Sequence, residues 1–487
     1  MPAENLVAER DLAVDFCSAI EAWQGKATID GVEFDAAGLG RSFREIRRDL
    51  FEIGIDPGDL VFVAGGQHLD TLVTVAAAID LGATAVLADP LASSAMLEEL
   101  VASARPLGIV IARERAKAAS GVFSGPARAL AGGRLTFLAA PEPARLSAPV
   151  GCLGLVSSGT SGTPKIVVHR PQNALRNARL HAASIGLGRG DCFLMTLPMH
   201  FSFGFVACVL GCICSGADIV VSPPAMTPAV FAAMVEKTGA TVYSATPAML
   251  RRVLSDLPLP ESLRVLSIGG DVMPPLEVER VRRQSGGRMF LTYGLTEAGP
   301  RVFTREVMHG ETAPFDLGEA LPGVTSRLGP LPPDRAFDPP AGYEAGELHV
   351  LTSTAMLGLW ERGGLSRVDF EGEWLRTGDA VLKAPDGRLF FHDRLKSIVV
   401  SGGEKISFGL IRRVLLEHQS VVAVRIWAGT DLTLGQIPLA AVQLRDDCVG
   451  REDDVLKDIQ AWNAKRLRRP ERPRSIVLDT TLSNSLK

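Results

Sequence analysis

The chain has 487 residues, more than one ordinary domain holds, so two or more units are expected. Hydrophobic residues make up 46% and charged residues 22%, which describes a globular protein able to bury a core. A formal net charge of −4 gives no reason to expect nucleic acid as a partner.

Seven cysteines occur without zinc or redox spacing. Cys208, Cys212 and Cys214 cluster inside an apolar run with no His or acidic pattern nearby, so a reduced buried core is expected there. The first residues, MPAENLVAERDL, lack a cationic flank and an apolar core, so they do not read as a signal peptide. The apolar stretch Gly204 to Ala217 is shorter than the roughly 20 residues a membrane span needs. A soluble cytoplasmic protein is the expectation.

In chain order, Ser42 to Gly54 has helical periodicity, Asp59 to Ala64 reads as a buried strand, Leu72 to Leu81 as a helix and Ala85 to Ala88 as a strand. This alternation predicts a parallel sheet covered on both faces. It continues with a helix at Leu175 to Ile185, strands at Phe193 to Pro198 and Ile219 to Val221, and a helix at Ala229 to Thr238. Strands at Ala240 to Ser244 and Leu263 to Ile268 follow. From Gly318 the texture changes: Gly346 to Leu351, Glu373 to Leu375 and Arg388 to Phe391 read as antiparallel strands of a smaller β subdomain, with Gly329 to Gly346 as a surface loop. After Arg394 the pattern returns to mixed α and β, with a helix at Ser407 to His418 and strands at Val421 to Trp427 and Pro438 to Leu444. The expected division is 1–395 and 396–487. The predicted class is α/β: a large domain of doubly wound, mostly parallel sheets with a small β subdomain, then a small mobile α+β domain.

The stretch Leu155 to Arg170, LVSSGTSGTPKIVVHR, carries the most chemistry. Between two apolar runs, Ser158, Gly159, Thr160, Ser161, Gly162 and Thr163 are all small or hydroxylic, and Lys165 follows Pro164. Small residues let backbone N–H groups converge on an anion, hydroxyls add donors, and the lysine adds a mobile positive charge. The plainer alternative is a flexible Ser/Gly surface loop. A P-loop is excluded, because Gly162 is followed by Thr163 and Pro164 before Lys165, and Ile166 stands where a Mg-binding hydroxyl belongs. No G-x-G-x-x-G fingerprint occurs in the loop.

Two further strings matter. TYGLTE, Thr292 to Glu297, follows a strand-like Met289 to Leu291; alone it could be a capping box or a core tyrosine. WLRTGD, Trp374 to Asp379, could alone be a turn.

Together the three strings, in this order and spacing, resemble the signatures of the adenylate-forming superfamily: acyl-CoA synthetases, aryl-acid ligases, adenylation domains and luciferases. The resemblance covers most of the chain, with Ile166 departing from the usual Gly. It implies ATP-dependent activation of a carboxylic acid as acyl-AMP, with Mg²⁺, then transfer to the thiol of CoA or of a phosphopantetheinyl acyl carrier protein. A degenerate homologue that binds nucleotide without turnover is the alternative from another class.

By the resemblance, Tyr293 would stack on adenine, with Thr292, Gly294, Gly270 and Asp271 beside the nucleotide. Thr296 would contact the α-phosphate and Glu297 coordinate Mg²⁺. Hard cations do prefer carboxylate and phosphate oxygens. Asp379 and Arg394 would hold the ribose, Lys396 would be the hinge, and Gly402, Gly403 and Glu404 would form the loop used in the thiol step. In that last region Ser407-Phe408 replaces the family's Ser-Pro, and Arg412 and Arg413 replace common acids. His200 is implied as a catalytic residue and, with Phe201, Phe203, Gly204, Ser244, Thr246 and Gly269, as part of the acyl pocket. Phe201 stands where amino-acid-activating relatives place an Asp. A buried unpaired ammonium there would cost several kcal/mol, so an aryl or short- to medium-chain acid is expected rather than an α-amino acid. Asp271 could instead meet a hydroxyl or a distal amine.

The family ends near a Gly-Lys whose lysine bridges carboxylate and phosphate. This chain ends TTLSNSLK, and Lys487 falls one residue early counted from Asp479. Either Lys487 is that lysine in a shortened loop, or it occupies the glycine position. The basic run Lys465 to Arg474 is a solvated face, or a contact for CoA phosphates or an acidic carrier.

Overall fold

The computed structural model describes residues 16–29, 31–141, 148–157, 165–222, 227–254, 258–311, 315–333, 335–361, 363–401, 404–431, 434–448, 450–480 and 482. Among them, two nine-stranded sheets form the large domain. In one, Arg288–Tyr293, Val265–Gly269, Val242–Ala245, Cys192–Met195 and Asp218–Val221 run parallel, and the antiparallel Phe303–Glu306 lies beside Arg288–Tyr293. In the other, Leu153–Ser157, Thr84–Leu87, Leu60–Ala64 and Gly108–Ala112 are parallel neighbours. The chain therefore has the predicted α/β class.

The continuous apolar run at Leu60–Ala64 has a direct cause. Val61 and Val63 face the core between the two sheets, while Leu60, Phe62 and Ala64 face a second core on the opposite side. A strand buried on both faces cannot alternate apolar with polar residues. The central core is filled by helices Ala36–Ile53, Leu69–Asp80 and Pro171–Ile185. The apolar stretch too short for a membrane span is π-helical over Phe203–Leu210, then α-helical over Gly211–Ser215. π-Helical turns are rare and occur mostly at functional sites. Cys208 and Cys212 are buried there as free thiols, and burial pushes the Cys208 thiol up to about 12.

The β subdomain is a five-stranded sheet that includes Glu344–Leu351, Trp374–Lys383 and Leu389–Arg394. A further five-stranded sheet uses only strands from Ile398 onward and packs against helices Phe408–Leu416 and Glu452–Arg466 around its own core of Ile406, Ile411, Leu415, Val442 and Ile459. The helix Glu452–Arg466 has weak apolar periodicity and is absent from the sequence reading. No helix among the described residues is long and apolar enough to cross a membrane.

Candidate active site

Trp374–Lys383 delivers Asp379. Its pairing with Glu344–Leu351 shifts register between Glu347 and His349. Gly378 takes up the irregularity at φ +71°, a left-handed conformation favoured by glycine, and its N–H donates to Glu347 Oε1 at 3.1 Å. The Thr377 hydroxyl donates to the Leu348 carbonyl and accepts from the Asp379 N–H. These bonds fix a carboxylate that is fully buried.

On the next strand Asp379 is paired directly opposite Arg394. Arg394 Nε lies 2.8 Å from Asp379 Oδ1, an ion pair by distance though off the line of an N–H···O bond, and the Tyr293 hydroxyl donates to Oδ2 at 2.5 Å. Burial raises the Asp379 carboxyl above its ordinary value against the opposing pull of Arg394. Burial and the Asp379 charge push the Tyr293 phenol well above 10. The guanidinium of Arg394 is held protonated by Asp379. Residues from two separate motifs thus form one hydrogen-bonded cluster.

Gly294 follows the strand Arg288–Tyr293, and a Cβ built on it would lie 1.8 Å from the Pro300 carbonyl oxygen. No other residue fits this turn. Thr296–Ala298 then forms a 3₁₀ turn. His169 Nε2 donates to the Thr296 carbonyl at 2.8 Å, and the Thr296 hydroxyl lies 2.9 Å from that of Ser202. Burial pushes the His169 imidazole down to about 4, so it serves as a neutral donor. Glu297 is anchored through its backbone carbonyl, which accepts from Met356 N at 2.8 Å. Its carboxylate lines the cavity and has no hydrogen bond or ion pair among the described residues. A free oxygen donor suits Mg²⁺, which binds through one or two carboxylates plus substrate phosphates. No group of three or more His, Cys, Asp or Glu side chains able to hold a metal occurs among the described residues. Glu297 therefore fits a cation shared with a phosphate substrate, not an all-protein cage.

These groups open on a cavity of about 1810 Å³ whose wall comes from both the large domain and the part after Ile398. Phe201, Phe203, Thr246, Gly270, Asp271, Thr292, Tyr293, Gly294, Thr296, Glu297, Arg394 and Lys396 line it.

Four residues expected in the acyl pocket lie behind that wall. Gly204 packs where a Cβ would stand 2.2 Å from the Pro198 carbonyl oxygen, so its role is helix packing. Ser244 is buried in a strand, and Gly269 ends the next one. His200 turns toward Asp89, with Nδ1 3.9 Å from Oδ1, and burial lowers its pKa. Asp271 does not offer an open carboxylate: Arg412 holds it at 2.8 and 2.7 Å. Asp379, expected on the ribose, is fully buried beside Arg394 and does not itself line the cavity. Glu404 is engaged by Arg468 at 3.5 Å. Arg466 of the basic run stacks on Trp462 at 3.2 Å and Arg468 pairs with Glu471, so part of that run is spent within the protein. Lys165 pairs opposite Ser157 at the ends of two antiparallel strands. Ser158, Gly159, Thr160, Ser161, Gly162, Thr163, Gly402, Gly403 and Lys487 lie outside the described residues.

The sequence reading missed Arg301 and the Asp271–Arg412 pair. Arg301 stands four positions beyond Glu297, and its proximity to the second motif was the available signal.

Tyr293, at the C-terminal end of a parallel strand, thus meets Asp379 and Arg394 from an antiparallel pair, beside the free carboxylate of Glu297, in an α/β fold whose ligand crevices lie at the carboxyl ends of such strands. The family model described as "AMP-binding enzyme" matches residues 44–360, and the chain belongs to that family. It is 28% identical over 295 residues to a 2-succinylbenzoate–CoA ligase of Geobacillus kaustophilus, covering 60% of this chain and 58% of the relative. It is 27% identical over 344 residues to a peroxisomal acetate/butyrate–CoA ligase of Arabidopsis thaliana, covering 66% of this chain and 58% of the relative. The matches thus span less than two thirds of those relatives' length. Among solved structures, an anthranilate CoA ligase bound to anthranoyl-AMP superposes with TM-score 0.79 at 20% identity, over 99% of this chain and 95% of that one. An o-succinylbenzoate CoA synthetase from Bacillus subtilis gives 0.75 at 20% identity, over 97% and 98%. Likenesses at this identity establish the fold.

Proposed function

We propose that this protein uses ATP to activate an aryl or short- to medium-chain carboxylic acid as its acyl-adenylate and passes the acyl group to the thiol of CoA. The observation that carries the reading is that Tyr293, Arg394, Thr296 and Glu297 line one cavity, with Asp379 buried behind its wall and held by the first two. The names of the relatives, CoA ligases for 2-succinylbenzoate and for acetate or butyrate, support it.

In this reading Asp379 accepts from the ribose hydroxyls, with Arg394 favouring its charged form against burial. The Tyr293 ring is the adenine platform. A carboxylate oxygen of the acid attacks the α-phosphorus, the bond to the bridging oxygen breaks, and pyrophosphate leaves with the electron pair. Thr296 donates to the α-phosphate, its hydroxyl oriented by Ser202, and Lys165 offers a positive charge near the phosphate chain. Mg²⁺ held by Glu297 and phosphate oxygens would neutralise charge there. The thiol sulfur then attacks the acyl carbon, AMP leaves, and the thiol proton passes to solvent or AMP. Rate comes from positioning and charge neutralisation, with no side-chain nucleophile. Lys396 is the proposed hinge between 1–395 and 396–487.

ATP–pyrophosphate exchange against a panel of aryl, short-chain and medium-chain acids tests this, with Lys487→Ala in parallel. Exchange with one acid class, lost in the variant, is the expected result. Absence of exchange with every acid, in protein that binds ATP, would favour a nucleotide-binding homologue without turnover. Thioester assays with CoA and with a phosphopantetheinyl carrier separate the two thiol acceptors.

A further inference from the structure

Arg301 is the largest side chain among the fully buried residues, at 2% exposure. Its backbone is clamped by the Asn177 amide, which accepts from the Arg301 N–H at 3.0 Å and donates to its carbonyl at 2.8 Å. The guanidinium lies over the Phe203 ring, 3.6 Å from its centroid. Nε and Nη2 are buried with no hydrogen-bond partner, and no carboxylate among the described residues pairs with the charge. Nη1 stands 3.1 Å from where a Cβ would sit on Gly269, so the glycine leaves room for it. Both Arg301 and Phe203 line the cavity.

An isolated buried cation is costly, and proteins ordinarily supply a partner. Burial lowers this guanidinium only to about 10, so it remains charged at neutral pH. The nearby Cys208 thiol is held protonated and cannot neutralise it. A fixed, unpaired, desolvated cation at a substrate cavity is a receptor for an anion.

We infer that Arg301 binds a second anionic group on the acid, so that the substrate class is a dicarboxylic acid, or an acid with a comparable anionic substituent, rather than a monoacid. This rests on the acid-activating reading above. With one face over Phe203, the planar guanidinium keeps its edge nitrogens, Nε and Nη2, unbonded for a carboxylate that would reach them from the cavity. Before the substrate arrives the charge lacks a partner, so an acid without the second anion leaves it unpaired in the closed site. That asymmetry is the source of discrimination.

The test compares matched acids, butyrate with succinate and benzoate with phthalate among others, by pyrophosphate release with wild type, Arg301→Met and Arg301→Lys. Melting curves check that each variant folds. In wild type, kcat/KM for at least one diacid is expected to exceed its matched monoacid by tenfold or more. Arg301→Met should lower the diacid value on the order of 100-fold while moving the monoacid value less than about threefold. Arg301→Lys, the fallback if the methionine variant does not fold, should fall between. Monoacids used as well as diacids by wild type, or equal losses on both in a folded variant, would overturn the inference. So would a raised KM for ATP at unchanged acid selectivity, which would assign the guanidinium to the nucleotide. Failure of every acid to support pyrophosphate release would count against acid activation itself. Calorimetric titration of succinate and phthalate into protein with AMP then decides separately: Arg301-dependent binding upholds the anion site and its absence rejects it.

Discussion

Arg412, on the first helix after Ile398, presents two guanidinium nitrogens to the two carboxylate oxygens of Asp271, at 2.8 and 2.7 Å. The residues are 141 positions apart and join the rim of the large domain to the smaller sheet's helix. Burial raises the Asp271 carboxyl, but the Arg412 charge and hydrogen bonds outweigh it and hold the group below its ordinary range. The side chains are about a third exposed, so the pair is worth on the order of 1 kcal/mol. Asp271→Asn should slow pyrophosphate exchange roughly 2- to 10-fold and leave thioester formation from supplied acyl-adenylate within about twofold. Equal loss in both half-reactions would argue that the pair serves only general stability.

Asp379→Asn should act on nucleotide binding. It leaves Arg394 without its partner and weakens the bond from Tyr293, so KM for ATP is expected to rise about tenfold or more. Tyr293→Phe removes one hydroxyl and keeps the ring; a rise of about threefold is expected. Initial rates over a range of ATP concentrations measure both.

Acid should destabilise the fold through two buried imidazoles. Burial lowers His169 from 6.5 to about 4 and His181 from 6.5 to about 3. Each is neutral in the folded chain and protonates more readily when unfolded. The stabilisation is complete above the unfolded pKa and is lost as pH falls from about 6.5 toward the folded values. His169 alone accounts for about 3 kcal/mol across that window. Urea midpoints between pH 7.5 and 4.5 should fall steadily, with a shallower slope in His181→Gln.

Gly294→Ala places a Cβ against the Pro300 carbonyl oxygen and should cost about 3 kcal/mol or prevent folding. Gly286→Ala meets nothing within 4 Å and is the control. Melting temperatures of the two variants give the comparison.

What the sequence disclosed was local. Asp59 to Ala64 reads as a buried strand because both faces meet a core, and TYGLTE and WLRTGD stand out as short strings. The resemblance put Asp379 and Arg394 on one ribose, but neither their direct pairing nor that of Asp271 with Arg412 showed. Asp379 meets Arg394 through a hairpin and a register shift, and Asp271 meets Arg412 only because two domains touch. Arg301 went unread although it stands four positions beyond Glu297, because its meaning lies in the partner it lacks. The π-helical form of Phe203–Leu210 was hidden too, since a wholly apolar run has no periodicity from which to count turns.

Asp393 is the next-to-last residue of the strand Leu389–Arg394, yet its carboxylate caps the helix on the other side of Lys396, accepting from the Ser407 hydroxyl and from the Gly409 N–H at 3.1 Å. A rotation at Lys396 that separates the strand from the helix has to release that cap. The swivel proposed at Lys396 would therefore carry a built-in detent. A chain so notched would click between settings instead of drifting, and the depth of the notch would set how long each one is kept.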